Sequence, residues 1–198
     1  LVSHIGTLPV VLFEPTDMEL VAGAPEVRRR YLDTILSQAD KSYLTALNQY
    51  RRVLKQRNNL LSNFDTGRIF DEIFVWDVKL TELAAQIVER RQALLGFVAE
   101  RIVDLYGEVA GSNEALSLEY LPSVTGQDYA DAFMKSLAAR LTNDLAAGFT
   151  TIGPHREDFK VSFKNNDITS VASRGETRTV VLAFKLAELA YIEQTLGR

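Results

Sequence analysis

The chain has 198 residues, 46% of them hydrophobic and 24% charged, with a formal net charge of −4 and no cysteine. The lack of cysteine excludes disulfides, thiolate zinc sites and a cysteine nucleophile. The acidic balance excludes a global basic footprint for nucleic acid and leaves that role to local patches. The composition is that of a globular protein of one large domain or two small ones. The two histidines, His4 and His155, are too far apart in sequence to point to a metal site. No apolar run approaches the roughly 18 residues of a membrane span, and no signal peptide is visible. The chain opens on Leu1 and closes just after a helical pattern, which reads as a segment of a longer protein.

Residues 8–13, Leu-Pro-Val-Val-Leu-Phe, form an apolar run expected as a buried strand. Glu14, Pro15, Thr16 and Asp17 then make a turn and a helix start, stopped by Gly23. Pro25 suits the first turn of the next helix, which carries Arg28, Arg29 and Arg30. Arg29 and Asp33 are spaced to pair on one face. The triple arginine is either a solvated face with an internal ion pair or a phosphate-binding patch.

Residues 41–63 are strongly helical, with a seam of Tyr43, Leu47, Tyr50, Leu54, Arg57 and Leu61 at steps of three and four. A break at residues 62–67 precedes a second long helix expected over residues 68–106, with Ile73, Trp76, Leu80 and Leu83 opening its seam. Two long helices joined by a short polar loop should fold back as an antiparallel hairpin. Arg51, Arg52, Lys55 and Arg57 form a basic stretch on the first helix. It is either part of a mixed solvated face or a DNA-binding element.

Residues 115–121 alternate as a strand, with Leu116, Leu118 and Tyr120 on one face. Residues 128–147 are helical, stopped by Gly148. The cluster Gly153-Pro154-His155-Arg156-Glu157-Asp158 is denser than a plain turn needs. Residues 158–163 alternate as a strand, Lys164 to Asp167 is a hairpin turn, and residues 168–171 are expected to return as a second strand.

That hairpin delivers the chain into Ser173-Arg174-Gly175-Glu176, which opens an apolar-striped helix to about Leu196. The four residues support two compatible readings. Ser173 and Glu176 have capping-box spacing. A helix start also offers unpaired N–H groups and a positive dipole end to an anion, commonly phosphate.

Several of these stretches together resemble one family. Gly23-Ala24-Pro25 through Arg28-Arg29 to Leu32-Asp33 resembles its G-x-P-x-x-R-R-x-x-L-D stretch. Leu54-Lys55-Gln56-Arg57-Asn58 resembles its L-K-Q-R-N run, and Thr151 to Asp158 its T-x-G-P-H-R-x-D segment. Ser173-Arg174-Gly175-Glu176 resembles its S-x-G-[QE] signature. The family is RecF, an ATPase of DNA replication, recombinational repair and the SOS response, similar in its head to SMC and Rad50 proteins.

The resemblance implies a mainly α fold with small antiparallel β elements, the helical lobe of an ABC-type ATPase head in the P-loop NTPase superfamily. It divides the chain into a lobe I edge strand (1–14), helical lobe II (15–148), a β-hairpin segment (149–172) and the signature motif with its helix (173–198). It implies a cytoplasmic protein that dimerises with a second copy on ATP and binds DNA at single-strand/double-strand junctions. RecR, RecO and RecA are the implied partners, with no membrane. Ser173, Arg174, Gly175 and Glu176 would contact the ATP of the partner subunit in trans. His155 and Arg156 are ATP- or DNA-linked, or position the head internally. Arg28, Arg29, Arg30, Arg51, Arg52, Lys55 and Arg57 are the DNA-binding candidates.

Departures from the family pattern bound these expectations. No G-x-x-x-x-G-K-[ST] occurs, so no Walker A is present. No apolar run ending in paired acids follows the signature helix, so Walker B is absent too. ATP and Mg2+ therefore belong to the full-length protein, and this segment alone is expected to hold no cofactor or metal, contribute no catalytic residue and hydrolyse no ATP. Ala172 stands where the signature more often has a larger aliphatic residue, and residues 10–13 lack a Q-loop glutamine. The alternatives are an all-helical protein-interaction module, with Ser173 only a cap, and a nucleic-acid-binding domain without nucleotide function.

Overall fold

The computed structural model describes residues 10–63 and 69–197. His4, Leu8, Pro9 and the expected turn at residues 64–67 lie outside the described residues. Residues 10–14 carry no helix or strand. A 3-10 turn, Pro15–Met18, leads into α1 (Glu19–Ala22), α2 (Pro25–Ala39), α3 (Lys41–Ser62), α4 (Ile69–Ala99) and α5 (Ile102–Ala110). β1 (Leu116–Leu121), α6 (Tyr129–Ala139), α7 (Leu141–Ala147) and β2 (Asp158–Phe163) follow. β3 (Asn166–Asp167), α8 (Ile168–Val171) and α9 (Arg174–Leu196) complete the described chain.

Four expected elements differ: the described part of the expected buried strand, residues 10–13, carries no strand and exposes Val10, Leu12 and Phe13, and three others differ for local reasons. The second long helix is two, because Arg101 N bonds Val98 O at 3.0 Å, one residue nearer than the α pattern. Arg101 also folds its guanidinium back onto Phe97 O and over the Phe97 ring. Val98 and Ile102 stay fully buried across this tightening, so the seam survives the break. The helix expected over residues 128–147 breaks at Arg140, which leaves the helical region at ψ 2°. The expected return strand 168–171 is a helical turn instead. Asp167 caps it by accepting from Thr169 N at 3.0 Å, and this local bond overrides the strand preference of Ile168 and Val171.

The described chain divides into two compact units. The first holds residues 10–41, 90–121 and 158–197. At its centre α9 buries Val180, Val181, Phe184 and Ala187. Tyr31 of α2 meets Phe184 edge to face at 5.8 Å and gives its hydroxyl hydrogen to Phe184 O at 3.0 Å. Phe159 of β2 lies 6.2 Å from the same ring. β1 and β2 pair antiparallel from Leu116↔Phe163 to Leu121↔Asp158.

The β2–β3 turn has positive φ at Lys164 (51°) and Asn165 (62°), the geometry of a two-residue type I′ hairpin. Arg28 clamps α2 to β2 through two 2.7 Å bonds to Asp158 and one of 2.9 Å to Gly23 O. Arg91, 2% exposed, reaches Asp33 at 2.8 Å. Lys185, on α9, lies 3.3 Å from Asp17 in the entry turn.

The second unit holds residues 42–63, 69–89 and 122–157 of the described chain. Its centre is polar. Arg57, fully buried on α3, donates to Asp77 of α4 at 2.6 Å, to Asp144 of α7 at 2.7 Å and to Thr150 Oγ1 at 2.8 Å. Asn58 Oδ1 accepts from Thr150 N and Oγ1, and Asp144 Oδ1 from Thr151 N and Oγ1. Burial pushes the Asp77 carboxyl up even with Arg57 beside it. Leu61, Ile73 and Leu141 form an apolar cluster in the same unit. The Arg57–Asp77 pair joins the C-terminal part of α3 to the N-terminal part of α4, as a fold-back requires.

Removing one partner of a buried ion network strands the others without compensation. Arg57→Met is therefore expected to destabilise the chain by about 3–5 kcal/mol in denaturant unfolding, whereas Arg51→Met on the exposed face stays within about 0.5 kcal/mol. Equal losses for the two would remove the network from its structural role.

Candidate functional site

α9 begins at Ser173, whose backbone is extended (φ −68°, ψ 166°). Ser173 Oγ accepts from Glu176 N at 3.3 Å, and Glu176 Oε2 accepts from Ser173 N at 2.8 Å. This is the capping box that the spacing predicts. Thr177 and Thr179 hydroxyls donate back to Ser173 O and Gly175 O. Lys164, in the β2–β3 turn, donates to the other Glu176 oxygen, Oε1, at 2.8 Å and lies 3.3 Å from Glu114. That lysine bond, then the two Ser173 bonds, hold the Glu176 carboxyl down at about 2.

Two consequences for ligand chemistry follow. The Ser173 hydroxyl is engaged within the cap, its oxygen accepting from Glu176 N while the hydroxyl lies within hydrogen-bond reach of the Glu176 carboxylate. The N–H groups of Arg174 and Gly175 sit in the first helical turn, where no intrahelical acceptor exists. Ser173, Arg174 and Gly175 are all exposed. Two amides at the positive end of a 23-residue helix, with the Ser173 hydroxyl beside them, make a donor set for an anion.

Gly175 and Gly153 are glycines for opposite reasons. Gly153 has φ 118°, and a Cβ there would sit 2.8 Å from Tyr50 Oη and 3.0 Å from the Phe133 ring. Its identity is dictated from inside the fold. A Cβ on Gly175 would meet nothing nearer than Ser173 Oγ at 4.0 Å. The described chain gives no steric reason for that glycine, though it costs helix propensity of up to about 1 kcal/mol relative to alanine.

The Gly153–Glu157 cluster is mostly turned inward. His155 Nε2 lies 3.1 Å from Thr150 O, and a carbonyl only accepts, so Nε2 carries the hydrogen. Nδ1 then accepts from the Tyr50 hydroxyl at 2.7 Å. Glu157, 2% exposed, accepts on Oε1 from Ser123 N, Ser123 Oγ and Tyr129 Oη. Burial, with Glu157 beside it, pushes the Tyr129 phenol far up. Arg156 is the exposed side chain of the cluster, its guanidinium 5.0 Å from the Phe149 ring centroid.

The basic candidates separate. Arg51, Arg52 and Lys55 are exposed on α3, and Arg30 is exposed on α2. Arg28 is committed to Asp158. Arg29 is half-buried, 3.8 Å from Glu26. Arg57 is corrected outright: it is fully buried among two carboxylates and offers no surface for DNA. Lys164 and Glu114 were not singled out as site residues. Lys164 carries a turn signal only, and its link to Glu176 spans 12 residues with no periodicity to mark it. Among the described residues no group of three metal-ligating side chains occurs, and no helix is long and apolar enough to cross a membrane.

A mainly helical chain with a small antiparallel sheet and a long capped helix is the architecture of an ABC-type ATPase head of the P-loop NTPase class. Within that class the family is RecF, which the chain matches along nearly its whole length. It is 37% identical over 209 residues to the DNA replication and repair protein RecF of Synechocystis sp., covering 98% of this chain and 54% of that protein. It is 37% identical over 196 residues to the RecF of Citrifermentans bemidjiense, covering 96% and 52%.

A solved structure of the recombination mediator protein RecF-ATP in the RecFOR pathway superposes with TM-score 0.91 at 33% identity, covering 98% of this chain and 53% of that one. The RecF-ATPrS structure gives 0.93 at 32%, covering 100% and 54%. The chain thus spans about half the length of the relatives it matches. No family model matches it.

The Glu176 carboxyl lies below its ordinary value of 4.5, so its contribution to the cap is fully present above about pH 4.5 and is lost as pH falls through about 2. A carboxyl-detected NMR titration should place its midpoint near 2, and Lys164→Ala should raise that midpoint. A midpoint unmoved by the substitution would remove Lys164 as the main cause.

Proposed function

We propose that this chain is the signature-bearing helical lobe of a RecF-type ATP-dependent DNA-binding protein, and that Ser173 to Glu176 contact ATP held by a second copy. The observation that carries this reading is Gly175, a helix-weakening residue with open space around it. A glycine unexplained from within is explained by a close approach from without, here by a phosphate at the Ser173 hydroxyl and the Arg174 and Gly175 amides.

These residues fit the phosphate end of ATP. Bound ATP would supply an anion that bridges two copies, and Mg2+ and the hydrolytic groups belong to the full-length protein. The chain's own part is binding and orientation. Preformed donors aimed at an anion cost no reorganisation when it arrives. This reading assigns residues 15–148 to helical lobe II, with the hairpin segment and signature helix after it. The RecFOR pathway named for the structural neighbours supports RecO and RecR as partners, with RecA loading at gapped DNA as the outcome. Exposed Arg51, Arg52 and Lys55 are the cations offered to DNA phosphates.

In the full-length protein, Ser173→Arg should abolish ATP-dependent dimerisation in sedimentation velocity while leaving ATP binding by the monomer intact. Gly175→Ala should keep or slightly raise the unfolding midpoint and still weaken the ATP-bound dimer. Normal dimerisation of Ser173→Arg would overturn the trans contact.

For DNA, replacing Arg51, Arg52 and Lys55 together by alanine should weaken junction binding and flatten the log Kd against log salt slope by about 2–3 units. An unchanged slope would place the DNA contact elsewhere.

A further inference from the structure

We propose that Lys164 is a positioning residue of the trans nucleotide contact: it holds and neutralises Glu176 so that an anionic phosphate can approach the Ser173 end of α9. This rests on the trans reading above.

The cap carries a built-in conflict. Glu176 completes the capping box through Oε2, which places a carboxylate in the same helical turn as the outward amides of Arg174 and Gly175. A carboxylate there repels a phosphate at those amides, since the separation is well inside the Debye length of about 8 Å at physiological salt. The Lys164 ammonium sits on the remaining carboxylate oxygen, Oε1, at 2.8 Å. The pair keeps the capping geometry and offsets the Glu176 charge.

Lys164 is also placed at a backbone cost. It stands at φ 51°, in the first of the two turn positions where asparagine, aspartate and glycine are the favoured residues. The turn chemistry does not call for lysine; the side-chain contacts do. Lys164 is held from three sides: its N–H bonds Ala115 O at 2.8 Å, Glu114 lies 3.3 Å from Nζ, and Nζ stands 4.9 Å from the Phe163 ring centroid. The signature cap is therefore referenced to the β1–β2 sheet and not only to its own helix. Glu114 and Glu176 are the acidic side chains in ion-pair contact with this ammonium.

The test is a charge cycle in the full-length protein, read as the Kd of the ATP-dependent dimer. Lys164→Met should weaken dimerisation about tenfold or more, and Lys164→Arg should stay within about threefold of wild type. Glu176→Gln alone is the reference for the cycle, because Glu176 belongs to the contact itself. The double variant Lys164→Met/Glu176→Gln should come within about threefold of Glu176→Gln alone, because the carboxylate that Lys164 offsets is gone from the cap turn. The thermal midpoint of Lys164→Met should scarcely move, an exposed pair contributing little to stability.

A double variant about tenfold weaker than Glu176→Gln alone, or a Lys164→Met protein that dimerises normally, overturns the proposal. So does a loss of dimer that tracks a loss of folded protein. Ser173→Arg run alongside separates the two levels. If Ser173→Arg dimerises normally, the trans site falls and this proposal with it. If Ser173→Arg fails to dimerise and Lys164→Met is normal, Lys164 alone is excluded.

Discussion

One buried guanidinium organises the second unit. Arg57 is fully buried and bonded to two carboxylates and a threonine. A charge out of water is tolerated only when paired and hydrogen-bonded. That requirement fixes where α3, α4, α7 and the segment after α7 meet. It also joins two stretches far apart in sequence, because Arg57 and Asn58 bind Thr150 while Asp144 binds both Arg57 and Thr151. Arg57 and Asn58 on one side, and Asp144, Thr150 and Thr151 on the other, are two halves of one polar core. Nη2 of Arg57 is buried without a hydrogen-bond partner among the described residues, and the two carboxylates are what hold the guanidinium.

The first unit solves a different problem. Its long helix α9 must end in an exposed loop that is ordered without being covered. The capping box supplies order locally, Thr177 and Thr179 tie down the first carbonyls, and Lys164 ties the cap to the sheet. Capping and anion recognition are therefore not rival uses of Ser173. The cap consumes the backbone N–H groups of Ser173 and Glu176 and leaves the two amides between them, of Arg174 and Gly175, in the exposed first turn.

Much of this was legible in the residues, and the failures have physical causes. The α3 seam, the β1 and β2 strands, the Lys164–Asn165 turn and the Ser173 cap follow from period, turn chemistry and cap spacing, which are local. The helix breaks at Arg101 and Arg140 carry no Gly or Pro and depend on packing. The α8 turn escaped because Asp167, placed in the hairpin turn, is also a cap. Arg57 fitted both the seam and the basic stretch, and only its carboxylate partners 20 and 87 residues away decide between them. In α4 the buried position belongs to Asp77, 5% exposed, and not to Trp76, because the acid answers Arg57. At the candidate site the motif residues were visible, and the lysine that braces them was not.

α9 runs 23 residues without interruption, about 34 Å of stiff rod at 1.5 Å per residue. Its capped tip is Ser173, and Lys185, 12 residues along, grips Asp17 in the entry turn. A rod held at its middle is a lever. No loop interrupts it between the capped tip and the Lys185–Asp17 contact, so the two belong to one continuous element.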